Sequence, residues 1–276
     1  NRNLNISVDY LLKNRWIKFY GETAMSRNRA VASLNALQLT PASYFSLLLL
    51  YRYYDKRYQA FFGNAFSQNS AVQNEQGVYM GMQWTPFSRW KLSAYADIFR
   101  FPWLKYGVDA PSTGKEYMLQ LDYTPSRNLS VYVRYKYKQK EDIEPYFQQR
   151  LRMQALYAIS SSVSLRTSAD GICYTETSEK SKGWMITQSV SWKPVDIPVQ
   201  TDFYVAGFHT DNYRTRIFSY EKNILYAFNM PSFYGKGVRL ALSFRWDIVK
   251  QLSLSAKFGH SYYADRDLIG TDQEEI

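Results

Sequence analysis

Val238-Arg239-Leu240-Ala241-Leu242-Ser243-Phe244-Arg245-Trp246 decides the fold. One parity reads Val, Leu, Leu, Phe, Trp and the other reads Arg, Ala, Ser, Arg. Successive strand side chains point to opposite faces, so this segment has one apolar and one polar face. The same alternation recurs at 78–84, 90–98, 117–123, 129–137 and 252–258. No helical i, i+3, i+4 spacing competes over comparable lengths. Strands of about ten residues with faces of this kind suit a membrane-spanning β-barrel.

Composition narrows the classes. Aromatic residues make up 17% of the 276 residues, 25 of them Tyr, and 46% are hydrophobic. Disordered chains lack that content. Thirteen Gly and nine Pro are too few for a collagen-like or low-complexity chain. A membrane-crossing helix needs about 20 consecutive apolar residues. The longest apolar run here is 47–51. The lone Cys173 can form neither an internal disulfide nor a cysteine-rich metal site. The net charge of +10 favours anionic partners such as lipid A phosphates or nucleic acid, without choosing between them.

Turn chemistry supplies the topology. Short connectors recur at Thr40-Pro41-Ala42-Ser43, Thr85-Pro86-Phe87-Ser88 and Thr124-Pro125-Ser126-Arg127, then at 159–162, 193–197 and 248–250. Longer polar connectors are expected at 54–76, 100–114, 139–148, 175–182 and 209–236. Short turns on one side and long loops on the other are typical of an outer-membrane barrel. Segments 58–66 and 216–228 resemble strands but would break this asymmetry, so both are assigned to long loops. The expected strands are 3–12, 15–25, 30–40, 45–54, 77–86, 89–100, 115–124, 128–138, 148–158, 162–174, 183–193, 198–208, 237–247 and 251–262. The expected fold is therefore all-β: one domain, 1–276, forming a transmembrane antiparallel up-and-down β-barrel. Fourteen strands counted from a periplasmic turn at Lys13-Asn14 leave both termini on the outer side, and 270–276 lacks a closing strand with a terminal aromatic. The expectation is part of a barrel of sixteen or more strands, with a complete fourteen-stranded barrel as the alternative.

The same parity sorts the side chains. Trp84, Trp90, Tyr123, Tyr157, Trp192 and Trp246 fall beside the short turns, where barrels carry an aromatic girdle at the headgroup level. A soluble β-sandwich would instead show Lys, Glu and Thr on its second face. The inward parity carries Arg52, Lys91, Arg134, Lys136, Arg150, Arg152, Arg166, Arg239, Arg245 and Lys257 against Asp97, Asp122, Asp170 and Asp202. This basic lumen is either an anion-attracting pore or a bracing network of ion pairs. The densest cluster is Arg134 and Lys136 beside Arg150 and Arg152.

Little points to catalysis. His260 and Ser261 fall on opposite parities, and His209 sits at a strand end, so neither His is poised beside a nucleophile. The carboxylates Asp55, Asp109, Asp211, Asp265 and Asp267 read as solvated loop residues rather than a Ca²⁺ site. Gly270-Thr271-Asp272 lacks phosphate-loop spacing. No catalytic residue, bound metal or organic cofactor is expected. The loops hold two aromatic clusters, around Phe101, Trp103 and Leu104 and around Phe233 and Tyr234. They serve either as a docking surface or as loop-on-loop packing.

Several strings resemble one family. WLKYGVDAPS at 103–112, QLDYTP at 120–125, VQNEQGVYMG at 72–81, ILYAFNMPSFYGKG at 224–237 and DRDLIGTDQEEI at 265–276 resemble the C-terminal barrel of Bacteroidota outer-membrane proteins. In that family a periplasmic helix-hairpin-helix region, similar to the competence DNA receptor, precedes the barrel. The resemblance implies a larger outer-membrane protein with a further strand after Ile276. Any nucleic-acid contact would lie in the helix-hairpin-helix region, which these residues do not contain. Two functions follow as expectations. The first is a channel or translocation component with a basic lumen, linked to DNA or another polyanion. The second is an assembly barrel that docks other outer-membrane proteins or lipoproteins through its aromatic loops. A barrel hydrolase ranks below both. Outer-membrane lipid, including lipopolysaccharide, is the expected surrounding partner.

Overall fold

The computed structural model describes residues 3–61, 63–177, 179–227 and 230–266, together with the backbone of 268–269 and 274–275. The strands are β1 (Asn5–Lys13), β2 (Ile17–Ser26), β3 (Val31–Ala42), β4 (Phe45–Tyr54), β5 (Glu75–Phe87), β6 (Trp90–Phe101), β7 (Ser112–Ser126), β8 (Leu129–Lys140), β9 (Tyr146–Ala158), β10 (Val163–Glu176), β11 (Glu179–Trp192), β12 (Val199–Thr210), β13 (Ile217–Phe218), β14 (Ser232–Phe233), β15 (Lys236–Val249), β16 (Leu252–Tyr263), β17 (Leu268–Ile269) and β18 (Glu274–Glu275). Fourteen of them form one sheet in the order β1 to β12, then β15 and β16. The pairings from β1 through β6 and from β10 through β12 to β15 and β16 are all antiparallel. This is the expected up-and-down order. The remaining four strands make two-residue ladders, β13 with β14 and β17 with β18. Residues 270–276, expected to lack a closing strand, together with Asp267 and Gly270-Thr271-Asp272, lie outside the residues whose side chains are described.

The chain packs as two compact units. The first is Asn1–Leu121 with Lys136–Phe147, and the second is Asp122–Tyr135 with Gln148–Ile276.

Within each unit the register keeps the two faces apart. On one face of the second unit, Phe203 stands opposite Leu242, which stands opposite Phe258. All three are exposed, Phe258 at 69%. On the opposite face Tyr204, Ala206, Phe208, Met185, Ile172 and Ala241 pack into a buried cluster with Ile217 and Phe233. In the first unit Val78, Met80 and Ile98 are exposed, whereas Arg52, Tyr54, Glu75 and Asp97 are buried. A soluble fold buries its apolar parity and wets its polar one. Here apolar residues line the exposed face, and the charges are inside.

Three differences from the sequence expectations have physical causes. The Thr-Pro pairs do not form the turns but end the strands. Registers shift between Leu39 and Ala42 and between Trp84 and Phe87, flanking Pro41 and Pro86. A bulge accommodates a residue that cannot donate to the ladder. Residues 175–182 are not a long loop: Thr175 pairs with Lys180 and Tyr174 with Ser181, so β10 and β11 run on to a tight turn where Thr177 has φ 49°. Likewise β8 and β9 extend to Lys140 and Tyr146, which shortens the expected 139–148 loop. Among the described residues of 58–66 none lies in a strand, as expected. Among the described residues of 216–228 only Ile217–Phe218 forms a strand.

Candidate functional site on the inner face

The inner face is built by alternation, and two long connectors fold onto it. In the first unit the centre is Arg52 on β4. Its Nε donates to Glu75 Oε1 at 2.6 Å, and its two terminal nitrogens donate to Asp97 Oδ1 and Oδ2 at 2.7 and 3.1 Å. All three side chains are fully buried. Gly77 makes room, since a Cβ there would lie 2.7 Å from the guanidinium carbon. The ring of Phe66 lies 5.1 Å from the same carbon.

Connector 55–74 seals this triad. The backbone N–H groups of Gln68 and Asn69 donate to the Glu75 carboxylate at 2.9 Å. Gln68 Nε2 donates to Asp97 at 2.8 Å, and Lys138 Nζ donates to Gln68 Oε1 at 2.9 Å. Tyr54 Oη donates to the Phe66 carbonyl at 2.9 Å. Buried charges stay ionised only when paired and hydrogen-bonded in this way. A further network lies beside it. Glu116 takes Lys136 at 2.9 Å and Lys138 at 3.4 Å, and it accepts the Tyr95 hydroxyl at 2.6 Å.

The second unit repeats the arrangement with connector 211–235. Arg239 donates to both Glu221 oxygens at 3.0 and 3.1 Å, and Lys257 reaches Glu221 at 2.6 Å. Lys222 pairs with Asp202 at 2.5 Å. Tyr204 Oη donates to Ser219 at 2.9 Å. Arg152 pairs with Asp170 and donates to the Phe218 carbonyl at 2.9 Å. Burial alone would raise the Glu221 pKa, but its bonds to Arg239 and Lys257 hold it below the ordinary glutamate value. A cleft of about 200 Å³ remains under this connector, with Arg166, Ser189, Ser243 and Tyr220 on its walls.

The expected lumen residues all lie on this parity. Lys136 belongs to the first unit, where it pairs with Glu116. Arg134, Arg150 and Arg152 belong to the second unit and all act electrostatically on Asp170. Arg166 stands over the Tyr220 ring at 5.5 Å. Arg239 is held by Glu221, and Arg245 pairs with Asp247 at 2.9 Å. Glu75, Glu116, Glu221 and Lys138 belong to the inner-face ion-pair networks, and the sequence expectation omitted them. Glu75 and Glu221 fell inside segments assigned to loops. Glu116 and Lys138 did fit the strand parity, and that signal could have found them.

The girdle residues Trp84, Trp90, Tyr157, Trp192 and Trp246 are 36–46% exposed on the outward parity, beside the short turns. Tyr123 shares that parity and is half-buried. The docking expectation needs correction at two positions. Phe101 is fully buried, edge-on to Phe99, with Lys105 Nζ 3.9 Å from its ring centre. Phe233 is buried against Phe208. Neither can meet a partner, because both are buried against strand residues, Phe101 on Phe99 of β6 and Phe233 on Phe208 of β12. Trp103 and Leu104 stay about half exposed, with Lys56 over the Trp103 ring at 3.0 Å. Tyr234 packs edge-on against Tyr213 under Arg266.

Among the described residues no group of three or more His, Cys, Asp or Glu side chains could hold a metal ion. His209 lies edge-on to Trp184, 6.4 Å between ring centres, and Ser261 accepts a bond from Arg239 on the inner face. Among the described residues no helix is long and apolar enough to cross a membrane, which says nothing about crossing by strands.

No family model and no curated protein matches the chain. The fold matches that of a solved structure, in-vitro folded OmpT, an outer membrane protein of Vibrio cholerae. The TM-score is 0.51 at 9% identity, covering 94% of this chain and 95% of that one. Outer-membrane-expressed OmpT of the same organism gives 0.49 at 9% identity, covering 94% and 89%. The chain thus shares the all-antiparallel, up-and-down fold of an outer-membrane protein.

Proposed function

We propose that the chain is an integral outer-membrane β-barrel protein of a Gram-negative bacterium whose fourteen strands cross the bilayer. One observation carries this reading: across both units large apolar side chains line the exposed parity, and the buried charged groups Arg52, Glu75, Asp97, Glu116 and Glu221 lie on the opposite face among small and aromatic residues. The shared OmpT fold supports it, as does the placement of the long connectors 55–74, 102–111 and 211–235 at one end of the strands. The string resemblance supports assignment to the C-terminal barrel of Bacteroidota helix-hairpin-helix proteins, with further strands completing a barrel of sixteen or more.

Within that class the inner face favours a restricted polar passage. A pore that threads DNA or another long polyanion needs a row of free cations. Arg52, Lys136, Arg152, Arg239, Lys257 and Lys222 instead sit on carboxylates, and a connector lies across the inner face of each unit. Small solutes suit the remaining cleft better than a polyanion. The test is reconstitution of the full chain into planar bilayers. The expected result is stable insertion with small unitary conductance that rises when Gln68 is replaced by Gly and Glu75 by Gln, changes that remove the side-chain bonds to Asp97 and Lys138 and the carboxylate that the connector N–H groups meet. A chain that never enters bilayers contradicts the class, and a large conductance unaffected by those changes contradicts the restricted passage.

A second reading, an anchor that docks other outer-membrane proteins or lipoproteins, is favoured by a different observation. Trp103, Leu104 and Tyr106 remain exposed, Tyr106 at 97%, on the connector between β6 and β7. A stoichiometric partner that is lost on changing these three to Ser would support it.

A further inference from the structure

We propose that the outward rim of the first unit binds the phosphorylated head of a lipid A-type glycolipid. The inference rests on the outer-membrane reading above, which puts the long-connector end of the strands in the outer leaflet.

A cleft of about 1030 Å³ opens on the outward parity of β4 to β7, near that end. Tyr51 stands opposite Val78, and Val78 opposite Ile98, so the three form one apolar row along its floor. Ile98 is 58% exposed. Gln76 and Arg100 face each other in the next pair up, and Lys115 lies on the neighbouring strand. Basic groups above an apolar floor match a ligand with phosphate above acyl chains.

The basic end is pre-organised. Arg100 donates to Gln76 Oε1 from two nitrogens, at 2.6 and 3.0 Å. Gln76 Nε2 in turn donates to Tyr51 Oη at 2.7 Å. Gln76 contributes no charge, so it aims the guanidinium without neutralising it. Among the described residues neither Arg100 nor Lys115 has a carboxylate within ion-pair distance. The nearby Glu141 accepts from the Thr113 N–H at 2.6 Å and its hydroxyl at 2.9 Å. Inner-face cations are mostly paired, whereas these two are left for an external anion. Guanidinium and ammonium groups bind phosphate through charge-assisted hydrogen bonds. The comparable groove in the second unit, where Lys182 and His209 stand near Trp184, includes Asp211, which accepts the Lys182 N–H at 2.7 Å. That carboxylate lowers the attraction for an anion, so the site is assigned to the first unit.

The test uses the full chain in detergent, with binding read by native mass spectrometry. It is titrated with bis-phosphorylated lipid A, with the same lipid stripped of both phosphates, and with phosphatidylglycerol. Phosphorylated lipid A should bind about tenfold tighter than either comparison lipid, given the strength of hydrogen bonds to charged groups. An R100Q/K115Q double variant should lose that preference and keep its affinity for the stripped lipid. Equal binding of the three lipids overturns the site, as does phosphatidylglycerol matching lipid A or a preference unchanged in the variant. If the double variant does not fold, the wild-type preference alone decides. Insertion into lipid vesicles is scored separately. A wild-type chain that inserts but does not discriminate rejects only the site. One that does not insert rejects the outer-membrane reading, and the site with it.

Discussion

Arg52 on β4 and Asp97 on β6 face each other across the intervening strand through two hydrogen bonds, at 2.7 and 3.1 Å, with neither side chain accessible to solvent. Glu75 on that strand completes the triad. Two carboxylates share one guanidinium, and the excess negative charge is met by backbone N–H groups of Gln68 and Asn69. The ion triad and the connector therefore hold each other in place.

Replacing Arg52 by Leu leaves two buried carboxylates facing each other. Loss of one partner of a buried ion pair costs about 3–5 kcal/mol. The expected result is a lower urea midpoint for unfolding in detergent, with protease cleavage within 55–74 before the strands open. An unchanged midpoint would show that the triad is not structural.

Docking of the second connector should depend on pH through Glu221. Its folded pKa lies below the ordinary value of 4.5, because Arg239 and Lys257 outweigh the burial that would raise it. A depressed carboxylate contributes stability that is fully present above the unfolded value and is lost as pH falls through the folded one. Protease susceptibility of 211–235 should therefore be flat from pH 7 to about 5 and rise below about 4.5. Glu221→Gln should make the connector susceptible at neutral pH and remove the Glu221 contribution to the acid transition. A transition at neutral pH in the wild-type chain would contradict the assignment.

Phe101 and Trp103 are two residues apart but should differ sharply on truncation. Phe101→Ala empties a fully buried site and should cost about 3–5 kcal/mol. Trp103 is half exposed, so Trp103→Ala should cost well under that and change partner binding instead. Unfolding midpoints of the two variants check this directly.

On the outward face, depth should set the cost of a charge. Leu242→Arg, midway along β15, should destabilise the chain in vesicles by about 2–4 kcal/mol, and Ile248→Arg near the turn by about 0–1. Equal costs would mean that the exposed parity does not span a bilayer.

Strand number, order and face were legible in the sequence because alternation is local. Arg239 and Arg245 could be placed inward, and Leu240 and Trp246 outward, from β15 alone. The inward folding of the connectors was not legible. Residues 55–74 have no periodicity, and the partners of Gln68 lie on strands distant in sequence, at Glu75, Asp97 and Lys138. The hairpin at 175–182 was hidden for a different reason. It projects past the apolar band, so Thr175, Lys180 and Lys182 make its outward parity polar and erase the alternation. Phe101 and Phe233 looked like docking residues because their burial against strand residues, Phe99 and Phe208, leaves no signature in the local sequence.

The central claim is that one parity of these strands faces lipid and the other faces the protein interior. Spin labels placed one at a time at 238–246 test it most directly, in a Cys173→Ser background, with the full chain in vesicles. The exposed parity, Val238, Leu240, Leu242 and Phe244, should collide readily with dissolved oxygen and little with a water-soluble nickel reagent. Arg239, Ala241, Ser243 and Arg245 should show low oxygen accessibility, giving a period of two. No alternation, or equal access of the nickel reagent to both parities, would contradict a membrane-spanning strand.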